Sequence, residues 1–248
     1  MNRSSYLTRL ESDGNLLLAV AEAADLDADV PTCPGWTVRD AVEHVAAVYE
    51  HKIACIRLGG ARPETWPSSA PDGDALGWLA DAHRRILVEL TETDPTLPSW
   101  TWWPPDQTVG FWSRRLALET AVHRVDVQAA GAGATAVDPE LATDGIDEVL
   151  TMMLADADWS EEGRTRSGRV IVQTGTSSWF VEMTPERVVA TPDRPLAAGD
   201  TRSPLAVTGP ASELFLWLWG RGTDAALRVE GEPEVALEFR ERLARATQ

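Results

Sequence analysis

Between Trp112 and Ala130 a carboxylate and an imidazole recur with helical spacing. Trp112, Leu116, Glu119, His123, Asp126 and Ala130 follow one another by three or four residues, which puts them on one face of a helix. Trp112 and Leu116 turn that face inward, where a carboxylate must be protonated, hydrogen-bonded or bound to a metal. Glu-x-x-x-His is therefore a metal half-site, or an ordinary polar pair. A second stripe, Thr37, Ala41, His44, Val48, His51 and Cys55, adds another imidazole. His44, Glu119 and His123 are two imidazoles and a carboxylate from two helices. That set suits Zn²⁺ or another divalent first-row metal and leaves a position open for chemistry. His51 lies about 10 Å along the helix from His44, too far to share an ion. It and Cys55 are expected to pack or to face solvent.

Other residues have two readings each. Asp126 can orient the His123 ring from behind or form a surface charge pair. Arg115, four residues before Glu119, can meet an anionic substrate or simply neutralise carboxylates. His83 shares an apolar stripe with Leu76, Leu79, Ile86 and Leu90 and reads as a hydrogen-bonded core histidine. Trp100, Trp102 and Trp103 either wall a pocket or pack over a bundle end. Cys33, just ahead of a helix, is a thiol of lowered pKa or a structural one.

The elements that must position these residues follow from periodicity and punctuation. Helices are expected over Ser4–Ala24, despite Gly14, and from a Thr37/Asp40 capping box to Leu58, stopped by Gly59-Gly60. Two more are expected over Asp74–Glu92 and Val109–Ala130, the last stopped by Gly131-Ala132-Gly133. A Pro, Ser and Gly loop covers Arg62–Gly73. Four such helices suggest a bundle. After Asp138-Pro139 the rhythm changes: a helix over Pro139–Ala157, then strand-length runs at 169–173, 178–183, 187–190 and 204–208. A helix at Ala211–Trp219, a short strand at Leu227–Glu230 and a helix at Pro233–Ala246 close the chain. The fold class is thus α+β in two domains, a helical bundle over 1–137 and a smaller α+β domain over 138–248.

Composition excludes several functions. With 22 basic and 39 acidic residues among 248, the net charge is −17, so the long-range field repels nucleic acid and anionic membranes. Two cysteines form no disulfide framework, and no signal peptide or membrane span is evident, so a cytoplasmic protein is expected. Lys52 is the only lysine beside 21 arginines, a bias of coding rather than a signal by itself. Oligomeric state is not legible.

Two segments carry a resemblance. Cys33-Pro34-Gly35-Trp36-Thr37-Val38-Arg39-Asp40-Ala41-Val42-Glu43-His44-Val45 and Phe111-Trp112-Ser113-Arg114-Arg115-Leu116-Ala117-Leu118-Glu119-Thr120-Ala121-Val122-His123-Arg124-Val125-Asp126 together resemble the mycothiol-dependent maleylpyruvate isomerase family. The resemblance implies a DinB-like four-helix bundle followed by a C-terminal α+β domain, with His44, Glu119 and His123 as metal ligands. It also implies mycothiol as thiol cofactor or cosubstrate and a small-molecule electrophile as second substrate, with the attacking sulfur supplied by mycothiol rather than by Cys33. Where many relatives have His-Glu, this chain has Leu118-Glu119. Leu118 points to another face, so the ligand set survives without that extra imidazole. A diacid substrate would require arginines in the site, for which Arg39, Arg115 and Arg124 are near the motifs. The reading from another class is a metal- or small-ligand-binding bundle without turnover, in a regulatory or stress role.

Overall fold

The computed structural model describes residues 1–67, 69–131, 133–159, 166–193 and 205–247. The chain divides into two compact units, Met1–Ala136 and Val137–Gln248. Four helices build the first: α1 (Arg3–Ala23), α2 (Val38–Arg57), α3 (Ala75–Glu92) and α4 (Val109–Ala129). Helix α4 packs on α1 and α2, and α3 packs on α1 and α2. Helix α2 starts at the capping box: Thr37 Oγ1 accepts from Asp40 N–H at 3.2 Å, while Asp40 Oδ2 accepts from Thr37 N–H at 2.8 Å. Helix α1 runs unbroken through Gly14, where a Cβ would overlap the His83 ring. The glycine there lets α3 approach closely. His83 Nε2 lies 3.2 Å from the Leu10 carbonyl in the same contact, so His83 is a satisfied core histidine. Leu10, Leu17, Ala41, Val45, Leu79, Ile86, Leu116 and Ala121 are among the fully buried side chains of this unit.

The second unit opens with α5 (Pro139–Glu148), capped by Asp138, whose Oδ1 accepts from Glu140 N–H and Leu141 N–H. The helix expected to continue evenly to Ala157 instead widens into a π-helical turn over Val149–Leu154. Trp159 Nε1–H donates to the Leu154 carbonyl at 3.2 Å, satisfying one carbonyl at that turn's end. Among the described residues five strands follow: β1 (Gly168–Thr174), β2 (Ser177–Met183), β3 (Val188–Pro192), β4 (Leu205–Thr208) and β5 (Arg228–Glu230), with α6 (Ala211–Leu218) and α7 (Pro233–Thr247). The sheet order is β3-β2-β1-β4-β5, with β1 and β4 parallel and the other pairs antiparallel. Val170 pairs with Val181 and Leu205, and Val172 with Trp179 and Val207. Those residues are buried, giving the period-two core face of the sheet. Ser68 of the expected loop, Ala132 of the helix stop and Pro204 of the expected strand lie outside the described residues. No helix among the described residues is long and apolar enough to cross a membrane.

Candidate metal centre

Helices α2 and α4 bring His44, Glu119 and His123 together. Glu119 Oε1 lies 3.2 Å from His44 Nε2 and 3.3 Å from His123 Nε2, and the three donor atoms fall within 4.8 Å of one another. Ligand bonds of 2.0–2.1 Å in a tetrahedron put neighbouring donor atoms about 3.3 Å apart. These side chains therefore fit a divalent cation with little movement. His44 keeps about a third of its side chain exposed, at 31%, so the cluster is reached from outside.

The other oxygen of Glu119 accepts a hydrogen bond from the buried Arg115 guanidinium. Burial opposes ionisation of Glu119, but Arg115 and the two imidazoles outweigh it and hold the carboxyl well below the usual carboxylate range. A charged His123 ring is likewise opposed by burial, yet Asp126 and Glu119 on its two sides raise its pKa to about 9. His123 Nδ1 sits 3.0 Å from Asp126 Oδ2, a charge contact bent away from the line of an ideal hydrogen bond. Asp126 is buried and is itself held: Thr32 Oγ1–H donates to Oδ1 at 2.6 Å, and the Cys33 thiol donates to Oδ2 at 3.3 Å.

The segment before α2 sets these partners. Trp36 N–H donates to the Cys33 carbonyl at 2.9 Å, with Pro34 and then Gly35 between them. Gly35 has φ +85°, a conformation that favours glycine and completes a type II turn. The turn delivers the Cys33 thiol to Asp126 and lays the Trp36 ring over both imidazoles. Its centroid is 4.9 Å from that of His44 and 6.0 Å from that of His123, nearly parallel to the latter at 15°.

The remaining sequence candidates divide. Arg115 joins the cluster. Arg124 does not: it is buried elsewhere, bonding Asp13 at 3.1 Å, Gln128 at 2.7 Å and the Thr135 carbonyl at 2.6 Å. That guanidinium ties α1 and the end of α4 together. Arg39 faces Asp27 at 3.6 Å. His51 and Cys55 pack against each other at 3.5 Å. Trp102 and Trp103 pack on Phe111, while Trp112 Nε1–H donates to Ser99 Oγ at 2.9 Å. Trp217 and Trp219 are buried in the second unit. Spacing alone assigns no role to Trp36 or Thr32, although Pro34-Gly35 is a turn sequence that must aim its neighbours somewhere.

With this geometry in view, the comparisons with known proteins are decisive at the level of family. Residues 7–128 match the model described as Mycothiol maleylpyruvate isomerase N-terminal domain, and residues 140–238 match the MDMPI C-terminal domain. The chain belongs to the mycothiol maleylpyruvate isomerase family. Among solved structures it resembles the crystal structure of the mycothiol-dependent maleylpyruvate isomerase, with TM-score 0.60 and 18% identity over 94% of this chain and 96% of that one. A histidine-to-alanine mutant of that enzyme gives the same figures. The likeness establishes the shared family fold across both units. No curated protein matches the chain.

Proposed function

We propose that this family member is a cytoplasmic, metal-dependent enzyme that uses mycothiol as thiol cofactor or cosubstrate and adds its sulfur to a small electrophile. Release of the adduct makes it a thiol transferase. Rotation about the former double bond and loss of the thiol make it a cis-trans isomerase of the maleylpyruvate type. The chemistry is assigned to the helical domain, 1–137, and zinc is the expected metal. The observation that carries the reading is the convergence of His44 Nε2, Glu119 Oε1 and His123 Nε2 within 4.8 Å of one another, with Glu119 3.2 Å and 3.3 Å from the two imidazoles.

A bound divalent cation supplies the positive charge that keeps a thiol ionised at neutral pH. Glu119 acts here as a ligand rather than a base, because Arg115 keeps its carboxylate ionised and fixed. Asp126 faces the far side of the His123 ring, which leaves Nε2 turned to the cluster. Trp36 covers the two imidazoles and excludes water from one side.

The test is elemental analysis of untagged protein, followed by addition of mycothiol to a cobalt-substituted sample. About one metal per chain is expected, with a sulfur-to-metal charge-transfer band that appears only with the thiol. His44→Ala and His123→Ala should lose metal and activity together. A metal that ignores thiols would instead favour the binding bundle without turnover.

A further inference from the structure

Lys52, the only lysine in the chain, has no part in the cluster just described. It is nine-tenths buried, at 8% exposure. Its ammonium lies 4.7 Å from the ring centroid of Trp66 and 4.7 Å from that of Trp112, and 3.1 Å from His51 Nδ1. Among the described residues no carboxylate comes within ion-pair distance of it. A buried ammonium is ordinarily paired with an anion, since desolvation without a counter-charge is expensive. Two aromatic faces and a neutral imidazole relieve that cost only in part.

The surroundings add positive charge. Arg62 lies over Trp100 with its guanidinium carbon 5.1 Å from the ring centroid, and Trp100 meets the same His51 at 6.1 Å. Arg62 and Lys52 both act electrostatically on His51, while Lys52 is repelled by Arg115 and attracted by Glu119, which Arg115 itself pairs with. This concentration of cations sits in a protein of net charge −17. Lys52 lies two turns beyond His44, roughly 12 Å along α2, and lysine side chains on helices lean back toward the N-terminus. Its ammonium is thus expected to reach back along α2 in the direction of the donor cluster. Trp66, which flanks it, is half exposed, at 49%.

We propose that Lys52, framed by Trp66 and Trp112, is a specificity-determining residue that anchors an anionic group of the electrophilic substrate while the reacting carbon lies at the His44, Glu119 and His123 cluster. The inference rests on the proposed thiol-addition reading for the identity of the bound molecule. The anion site itself can be tested without it. The ammonium donates to the anion, the tryptophan faces exclude water around it, and His51 accepts the remaining N–H. An electrophile without a negative group would leave the lysine unpaired and bind less well.

The experiment is a titration of the full-length protein at pH 7 with malonate, a small dianion without thiol chemistry, followed by tryptophan fluorescence. Wild type, Lys52→Met, Lys52→Arg and His44→Ala are compared after far-UV circular dichroism has shown that each is folded. Lys52→Met removes a buried charge of similar side-chain length, so it should fold. The expected result is saturable binding to wild type, a Kd at least tenfold higher in Lys52→Met, and recovery to within about threefold of wild type in Lys52→Arg. His44→Ala should bind malonate as wild type does. Binding lost in His44→Ala but unchanged in Lys52→Met would place the anion on a metal and overturn the proposal, as would no binding at all. Lys52-dependent binding in a protein whose cobalt form ignores thiols would uphold the anion site and reject the thiol chemistry alone.

Discussion

Asp126 contacts the Thr32 hydroxyl, the Cys33 thiol and the His123 ring, and the contact with the ring is the one that bears on the His44, Glu119 and His123 cluster. Replacing its carboxylate with an amide keeps the acceptor for Thr32 but removes the negative charge facing Nδ1. The ring then loses what fixes its orientation and tautomer. Asp126→Asn should weaken metal binding by about 10–100-fold, the usual loss when a partner behind a ligand is removed, as read by competition with a chromophoric chelator. Cys33→Ser leaves a hydroxyl that donates to Asp126 much as the thiol does, so its metal affinity should stay within about threefold of wild type. A loss confined to Cys33→Ser would instead make the thiol a ligand, as its place near His123 and Asp126 allows.

At the scale of elements, the site depends on two helices and one turn. Because α2 and α4 are regular, the stripes holding His44, Glu119, His123 and Asp126 were legible from spacing alone, and the capping box and Gly59-Gly60 marked the limits of α2. What spacing cannot reveal is a neighbour distant in sequence. Gly14 reads as a weakness in α1 until the His83 ring is seen against it, and Lys52 reads as a coding accident until Trp66 and Trp112 frame it. The readings of Arg115 and Arg124 were equally open, since each lies on an inward part of α4. Only the partners, Glu119 for one and Asp13 with Gln128 for the other, separate them. The turn before α2 offers a direct test of the third element. Gly35 has φ +85° with open space where a Cβ would stand, so Gly35→Ala meets backbone strain rather than a clash. It should lose about 1–2 kcal/mol of stability in urea unfolding. It should also weaken metal binding, because Trp36 and Cys33 are both aimed by this turn.

For the whole molecule, acidification sets two effects against each other. Moving from pH 7 toward the pI of 4.6 reduces the net charge of −17 and its self-repulsion, which favours the folded chain. Two of the buried histidines, His51 and His83, act in the opposite sense. Burial first, then Lys52 and Arg62, lowers the pKa of His51 to about 4, and burial also lowers that of His83. The unfolded chain, with histidine near 6.5, binds more protons than the folded one between about pH 4 and 6.5, so stability falls as pH drops through that window. The groups bearing on His51 are Lys52, Cys55 and Arg62, none of which supplies a carboxylate to stabilise the imidazolium. Removing the ring should therefore remove this part of the acid sensitivity. Between pH 7 and pH 5 the wild type should lose about 1–2 kcal/mol more than His51→Gln, read by urea unfolding followed through tryptophan fluorescence, since Trp66 lies 4.2 Å from His51. Equal losses in the two proteins would mean that His51 takes up its proton in the folded chain, which would require an anion beside it. In that case the cationic surroundings that motivate the Lys52 anchor would already be neutralised by the protein itself.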